Sequence, residues 1–230
     1  MIIREKLRVL HTTIKSKIVY EIVKGQKSRH DIILSCFGAP SKSGPSYARL
    51  YAQENEIIST NVVPLNKIVE SLNNDAIKAL IFIDDIIGSG DTFADAVKTL
   101  SADYGDILYK NGIKVFICGI CALEKGIQRI EKELKKLKFE VIVKAVDILN
   151  EGDQCFSEMS DIFESNIEKE EAKRIALDYG KRLDKKLPLG HDNCELLVIF
   201  KDNCPDNTIS IIWDTSSTSP KWIPLFKRLE

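Results

Sequence analysis

Short apolar runs alternate along the chain with segments whose apolar residues recur every three or four positions. In the unit after Ile83, for example, Phe93, Val97 and Leu100 have the spacing of one helix face. Strands that alternate with helices of this length favour a parallel sheet covered by helices on both faces. The sequence therefore predicts an α/β, three-layer fold. The predicted strands are Ile32 to Phe37, Ala79 to Ile83, Lys114 to Leu123 and Phe139 to Val146.

The segments between these runs complete the predicted layers. Apolar residues at helical spacing predict an N-terminal helix that ends near Gly25, and Ser46 opens a further helix through about Asn55. An extended segment is predicted over Ile57 to Pro64. Two more helices are predicted, a short one over Ile68 to Asn73 and an amphipathic one over Ile127 to Leu137.

The pattern changes after about Asn150, which predicts two parts, residues 1–150 as a core and 151–230 as an appended α+β module. Helices are predicted over Ser157 to Phe163 and Ile167 to Leu187, and strands over Leu196 to Phe200 and Ile209 to Trp213. Because no flexible Gly/Ser linker separates the parts, we expect the second to pack on the first as a hood.

Composition excludes several classes of protein. Hydrophobic residues make up 44% of the 230 residues, enough for a buried core, and no apolar run reaches the roughly 20 residues that a membrane helix needs. With 33 basic and 34 acidic residues, the net charge of −1 does not indicate nucleic-acid binding, although a local basic face is not excluded. The N-terminus lacks a secretory apolar core, so a cytoplasmic protein with six reduced cysteines is expected.

Two carboxylates and a glycine-rich loop follow the apolar run Ala79 to Ile83. Asp84 and Asp85 are expected at the carboxyl edge of the sheet, where ligands bind in open α/β folds. The loop Gly88-Ser-Gly-Asp-Thr92 leads into a helix near Phe93, whose unpaired N–H groups favour a phosphate monoester. Carboxylates beside a phosphate site can accept hydrogen bonds from vicinal hydroxyls, and phosphate plus diol describes a ribose 5-phosphate. Alternatively, the acids end a strand and cap a turn.

This stretch resembles the phosphoribosyl pyrophosphate (PRPP) signature of type I phosphoribosyltransferases. The resemblance implies that the acidic pair holds the ribose 2- and 3-hydroxyls and that the loop holds the 5-phosphate. Gly88 stands where Thr or Ser is common, and Asp91 adds a negative charge beside the loop. The matching residues are Asp84, Asp85, Ile86, Ile87, Gly88, Ser89, Gly90, Asp91 and Thr92.

A second loop, after the run Ile33 to Phe37, resembles the pyrophosphate loop of the same family. Ser41, Lys42, Ser43 and the amides up to Gly44 could donate to a pyrophosphate, and Lys42 is the loop's one cation. An ordinary exposed turn with a solvated lysine is the alternative. Together the two matches imply a type I phosphoribosyltransferase-like fold over the core.

The C-terminal part resembles that of a bacterial phosphoribosyltransferase-like family linked to conflict and antiphage defence operons. This resemblance implies a role, with a protein partner in such an operon, rather than a reaction. It is carried by Leu196 to Phe200, Asn203, Pro205, Asn207, Thr208, Ile211, Trp213, Trp222 and Pro224 to Phe226.

The family resemblance implies a glycosyltransferase that moves a phosphoribosyl group from PRPP to an unidentified acceptor and releases pyrophosphate. Asp84, Asp85 and Lys42 are the implied catalytic residues, and Mg²⁺ is expected through PRPP rather than through direct protein ligands. The family core often dimerises. Because Arg49, Lys67 and Lys78 are the only cations between the motifs, a module that senses PRPP or a nucleotide without turnover remains open.

Other reactive residues have simpler interpretations. Cys118 and Cys121 form a CxxC, but residues three apart in a strand face opposite ways, which favours two buried thiols over a metal or redox site. His191, Asp192 and Cys194 are interpreted as a turn, with a nucleophilic set as the alternative. His11 and His30 are predicted to be solvated, and Trp213 and Trp222 to be anchors of the C-terminal part or, less simply, platforms for a base.

Overall fold

The computed structural model describes residues 3–18, 28–37, 43–201, 203–215 and 222–226. The chain divides into two compact units, Met1–Ile148 and Leu149–Glu230. Ser41, Lys42 and Gly25 lie outside the described residues. The N-terminal helix, predicted to end near Gly25, already ends at Lys15, and residues 16–18 form a turn. Among the described residues, no helix is long and apolar enough to span a membrane.

Unit 1 is built on an all-parallel sheet with the strand order β1-β2-β3-β4. The α/β fold with a parallel sheet is therefore confirmed. The central strands β2 and β3 are buried on both faces, because helices cover the sheet above and below. β4 lies at the edge and is only half-buried. The strands are β1 (Ile32–Ser35), β2 (Ala79–Ile87), β3 (Lys114–Leu123) and β4 (Val141–Leu149).

Within the part of unit 1 that the structure describes, five helices form the two outer layers. Helices α1 and α2 contact one another and pack on strands β1 to β3, and α3, α4 and α5 follow one another across the remaining face. The larger core joins that second layer to the sheet through Phe82, Val97, Leu100 and Ile130. The helices are α1 (Ile3–Lys15), α2 (Gly44–Glu54), α3 (Ile68–Leu72), α4 (Asp91–Lys110) and α5 (Glu124–Leu134).

The extended segment predicted over Ile57 to Pro64 is only partly extended. Ile57 and Val62 form isolated parallel bridges with Arg29 and Leu34, and the residues between them, Ser59–Asn61, make a 3₁₀ turn. The segment therefore lies along the outer side of β1 without becoming a full strand.

Unit 2 contains the helices α6 (Asn166–Leu183) and α7 (Ser210–Trp213). Ser165 caps α6 by accepting a hydrogen bond from the Glu168 amide at 3.2 Å. A small core forms from Cys155, Phe156, Ala176, Leu189 and Ile209.

Three predictions in unit 2 are wrong. Residues 157–163 form turns and bends rather than a helix, and residues 196–200 form only isolated bridges, Leu196 to Thr208 and Phe200 to Asn203. The predicted strand at 209–213 is the one-turn helix α7. A short apolar run fits a strand or a helix equally well, and here the Trp213 indole closes the turn by donating to the Thr208 carbonyl at 2.9 Å.

Candidate functional site

The acidic pair lies inside strand β2 rather than after it. We expected the strand to end at Ile83, but it continues through Ile87, so Asp84 and Asp85 precede its end. Successive side chains of a strand point to opposite faces. Accordingly Asp84 is half-buried, whereas Asp85 is only 4% exposed. Of the two carboxylates, Asp84 is the one that a ligand can reach from solvent.

Residues of both sequence motifs meet at Asp84. Its Oδ1 accepts a hydrogen bond from the Asp85 amide at 2.9 Å and a longer one from the Ser43 hydroxyl at 3.4 Å. Ser43 is the residue before α2, at the end of the predicted pyrophosphate loop. Two segments that are 41 positions apart in sequence at these residues therefore converge on one carboxylate, and this convergence defines the candidate site.

The surroundings of Asp84 disfavour its ionised form. Burial of the carboxyl raises its pKa well above the ordinary value, and the neighbouring Asp85 charge raises it further. The Asp85 amide and the Ser43 hydroxyl oppose this shift, but they do not cancel it. Strongly shifted pKa values of this kind cluster at functional sites, which supports Asp84 as a residue of the candidate site.

The end of the first loop packs tightly against Cys36, which directly follows β1. A Cβ on Gly44 would lie 2.7 Å from the Cβ of Cys36, closer than real contacts allow, so only glycine fits at this position. Pro45 then opens α2 with its backbone fixed for the first helical turn. Ser43 and Gly44 thereby hold the described end of the loop beside Asp84, and Ser41 and Lys42 stay predictions.

The second loop, Gly88 to Gly90, connects β2 to α4. Gly90 has φ = 83°, a left-handed conformation that glycine adopts at little cost, and its carbonyl accepts the first helical hydrogen bond, from Ala94, at 2.8 Å. The Ser89 hydroxyl accepts from the Asp91 amide at 3.3 Å. The first amides of α4, including that of Thr92, have no acceptor within the helix, which is the arrangement that binds a phosphate. Ile87 is fully buried, so it contributes its backbone alone.

Gly126 of α5, which packs against the second loop, was not predicted from the sequence as a residue of the site. A Cβ on Gly126 would lie 2.0 Å from the Gly88 carbonyl oxygen, and a Cβ on Gly90 would lie 2.3 Å from the Gly126 carbonyl oxygen. The first turn of α5 therefore packs backbone to backbone against the loop. The available signal was a glycine in the first turn of an otherwise strongly helix-forming segment.

The donor set fits a magnesium ion that arrives with its ligand. Asp84, the carboxylate that a ligand can reach, supplies hard oxygens of the type that Mg²⁺ prefers. Among the described residues no group of three or more His, Cys, Asp or Glu side chains could hold a metal by itself. A ligand with its own phosphate oxygens would complete the coordination.

The other reactive residues are in closed environments. Cys118, Cys121 and Cys194 are buried and not part of a disulfide, and Asn207 donates to the Cys194 sulfur at 3.4 Å. A sulfur buried in this way cannot serve as the nucleophile of a set with His191. Trp213 and Trp222 donate to main-chain carbonyls of unit 2, which fits anchors.

The prediction that His11 is solvated is wrong. Its ring is buried between α1 and α2, where Nδ1 lies 2.7 Å from the Tyr51 hydroxyl and Nε2 lies 3.4 Å from the Arg29 guanidinium. Burial, followed by the Arg29 charge, lowers the pKa of His11 to about 4, so the ring is neutral at pH 7. His11 thus belongs to a buried network that joins two helices.

Cys36 offers a direct reporter of this site. It is the one half-buried cysteine of the six, and it contacts Gly44 next to Asp84. Because burial and then the Asp84 charge raise the pKa of the thiol, alkylation should be slow at pH 7 and faster at pH 9. We expect iodoacetamide to modify Cys36 alone in the native protein, and PRPP with Mg²⁺ to slow the reaction. Mass spectrometry of the Cys36→Ser variant supplies the control, and an unchanged rate at saturating ligand would count against a ligand at this site.

Comparison with known proteins assigns the chain to a family. The model of the PRTase-CE family, which is phosphoribosyltransferase-like, matches residues 2–228. No curated protein matches significantly. The solved AQ2163 protein of Aquifex aeolicus is 17% identical, with 64% of this chain and 75% of that chain covered at a TM-score of 0.39, a likeness too low to carry an argument. With the family model spanning nearly the whole sequence, the chain belongs to the PRTase-CE family of phosphoribosyltransferase-like proteins.

Proposed function

We propose that the protein binds PRPP with Mg²⁺ and transfers its phosphoribosyl group to an acceptor, releasing pyrophosphate. The observation that carries the proposal is the convergence of Ser43, from the first loop, with Asp84 of the acidic pair. Membership of a phosphoribosyltransferase-like family supports the same reading. The site would therefore combine a carboxylate for the ribose diol with the first amides of α4 for a phosphate, and the sequence of the first loop predicts a second set of phosphate donors.

Each part of the ligand has a matching part of the site. The amides of the Gly88 to Gly90 loop and of the first turn of α4 would bind the 5-phosphate. Asp84 would accept hydrogen bonds from the ribose hydroxyls, and the buried Asp85 would keep a negative charge near the ring. Ser43 and, by sequence, Lys42 would face the pyrophosphate.

Transfer breaks the bond between the ribose anomeric carbon and pyrophosphate, and the bonding pair leaves with pyrophosphate. The acceptor's nucleophilic atom forms the new bond to that carbon and releases a proton. The carboxylates of Asp84 and Asp85 favour the positive charge that develops on the ribose, because fixed charges inside the site need no reorganisation. Mg²⁺, when bound with PRPP, would neutralise the charge on the leaving pyrophosphate.

Release of pyrophosphate during an acceptor screen tests transfer directly. We expect Asp85→Asn to lower the rate by about 10²–10³, as for other preorganised electrostatic groups. The exposed Asp106 of α4 provides a matched substitution, Asp106→Asn, which should leave the rate unchanged. If Asp85→Asn retained both full turnover and full PRPP binding, the role given to this carboxylate would be wrong.

A second candidate is a sensor that binds PRPP or a nucleotide without turnover. The cations between the motifs are few, and the Lys78 ammonium donates to the Asp75 carbonyl before β2, at the opposite end of that strand from the acidic pair. Binding without pyrophosphate release for any acceptor would favour the sensor.

The resemblance of the C-terminal part to defence-associated proteins supports a role in antiphage defence, with a protein partner from the same operon. Toxicity on expression that disappears in the Asp84→Asn/Asp85→Asn variant would indicate an effector enzyme. Toxicity that persists in this variant would indicate a role independent of the site.

A further inference from the structure

Asp91 presents a problem for phosphate binding at the second loop. It is the first residue of α4 and is exposed, so its carboxylate lies beside the amides that would bind the phosphate. An acid at this position stabilises the helix terminus, but it also repels an anion that approaches the same terminus. A phosphate site here needs the charge of Asp91 to be offset.

Arg129 of α5 offsets this charge. Its Nε donates to Asp91 Oδ1 at 2.8 Å, and its Nη1 donates to Glu133 Oε1 at 3.0 Å. Glu133, one helical turn along α5, thereby fixes the direction of the guanidinium. The ion pair joins α5 to α4 through residues that are 38 positions apart in sequence, so neighbouring positions within one helix do not account for it.

The backbone contact at Gly126 makes the position of Arg129 definite. Gly126 lies three residues before Arg129, and its close approach to Gly88 and Gly90 ties the first turn of α5 to the loop. Arg129 therefore stands at a fixed place relative to the first turn of α4. A longer side chain at position 126 would move the guanidinium and the loop apart.

We infer that Arg129 is a positioning residue of the phosphate loop, which neutralises Asp91 and holds the start of α4 in the form that accepts a phosphate monoester. The inference rests on the proposed function for the identity of the ligand. Arg129 acts through Asp91 and the loop, and it is not proposed to touch the reacting atoms.

A double-mutant cycle that removes each charge in turn tests the inference, with ribose 5-phosphate and inorganic pyrophosphate as separate probes in the presence of Mg²⁺. Arg129→Gln should lower the affinity for ribose 5-phosphate about five- to tenfold. It should leave the affinity for pyrophosphate unchanged, since pyrophosphate is proposed to bind at the other loop. Asp91→Asn should raise the affinity for ribose 5-phosphate about two- to fivefold. The double variant should return to within about twofold of the wild type, because the charge that Arg129 offsets is then gone.

Arg174→Gln is the matched control, because Arg174 makes an i,i+4 pair with Asp178 on α6 in unit 2. It should leave both affinities unchanged. A double variant as weak as Arg129→Gln, or an Arg129→Gln variant with wild-type affinity, would overturn the neutralising role.

Hydrogen exchange of the free protein separates this inference from the proposed function. The Ala94 amide, which donates to the Gly90 carbonyl, should exchange faster in Arg129→Gln than in the wild type or in Arg174→Gln. If the wild type binds no ribose 5-phosphate, the proposed function fails, and the exchange rate of Ala94 alone decides whether Arg129 holds the loop. An unchanged rate would overturn the inference.

Discussion

Asp84→Asn is expected to weaken PRPP binding while making the empty protein more stable. An amide cannot replace a carboxylate that accepts from two hydroxyls, and losing one hydrogen bond to a charged group costs about 1.5–3 kcal/mol, or roughly ten- to a hundredfold in affinity. The empty protein gains because burial and the Asp85 charge raise the pKa of the Asp84 carboxyl, so that ionising it costs free energy that a neutral amide does not incur.

The sign of the pH dependence follows from the raised pKa of Asp84. Its contribution to the free energy of unfolding is fully present below the unfolded pKa, about 3.9, and is lost as the pH rises through the folded pKa. An asparagine does not titrate, so the advantage of the variant should grow with pH. Melting temperatures at pH 5 and pH 8 measure this difference, and each kcal/mol corresponds to about 2–4 °C for a chain of this size.

The exposed residue Asp106 provides the control, because Asp106→Asn should change neither the affinity nor the pH dependence. An Asp84→Asn variant that is less stable than the wild type at both pH values would contradict the assignment of Asp84 as a ligand group. It would show instead that the carboxylate holds the fold together through Ser43 and the Asp85 amide.

The second large effect is expected at Gly126. In Gly126→Ala the new methyl group would lie 2.0 Å from the Gly88 carbonyl, so either α5 or the phosphate loop must move. Overpacking of this kind costs about 1–3 kcal/mol, which lowers the melting temperature by roughly 2–12 °C. A displacement of about 1 Å at the loop can cost on the order of a hundredfold in activity, so ribose 5-phosphate binding should also fall by about tenfold or more.

Gly105→Ala makes the same chemical change in the middle of α4 with the opposite expected result. Its added Cβ would make ordinary contacts at 3.5 Å with Phe139 and Ser101. Replacing a helical glycine by alanine where space allows stabilises a protein by about 0.4–1 kcal/mol. Calorimetry of the two variants compares them directly, and equal stability for both would show that the loop tolerates a side chain at position 126.

The sequence was sufficient for the features that depend on hydrophobic pattern. β3 has the predicted bounds, Lys114–Leu123, and the alternation of strands and helices gave the parallel sheet. The glycine loop could be placed between β2 and α4 because Gly88 and Gly90 interrupt an otherwise regular pattern. These are local signals, and the fold of unit 1 agrees with all of them.

Long-range contacts account for what the sequence could not predict. The acids of β2 were expected after the strand, because aspartate is unfavourable in strands by itself. They lie inside the strand because pairing with β3 extends β2 beyond them. Gly126, Arg129 and the burial of His11 depend on which helices lie side by side. In unit 2, the strands predicted from short apolar runs were wrong for the same reason. The packing of residues 151–230 as a hood stays a prediction.

Isothermal titration of PRPP with Mg²⁺ into the wild type and the Asp84→Asn/Asp85→Asn variant tests the central claim most directly. Both proteins should first show cooperative unfolding, which establishes that each is folded, and the Asp106→Asn variant should bind like the wild type. We predict saturable binding to the wild type with a stoichiometry of about one per chain, because one site is proposed, and no measurable heat of binding to the double variant. Equal binding to both proteins would place the ligand elsewhere, and no binding to the wild type would contradict the proposed function.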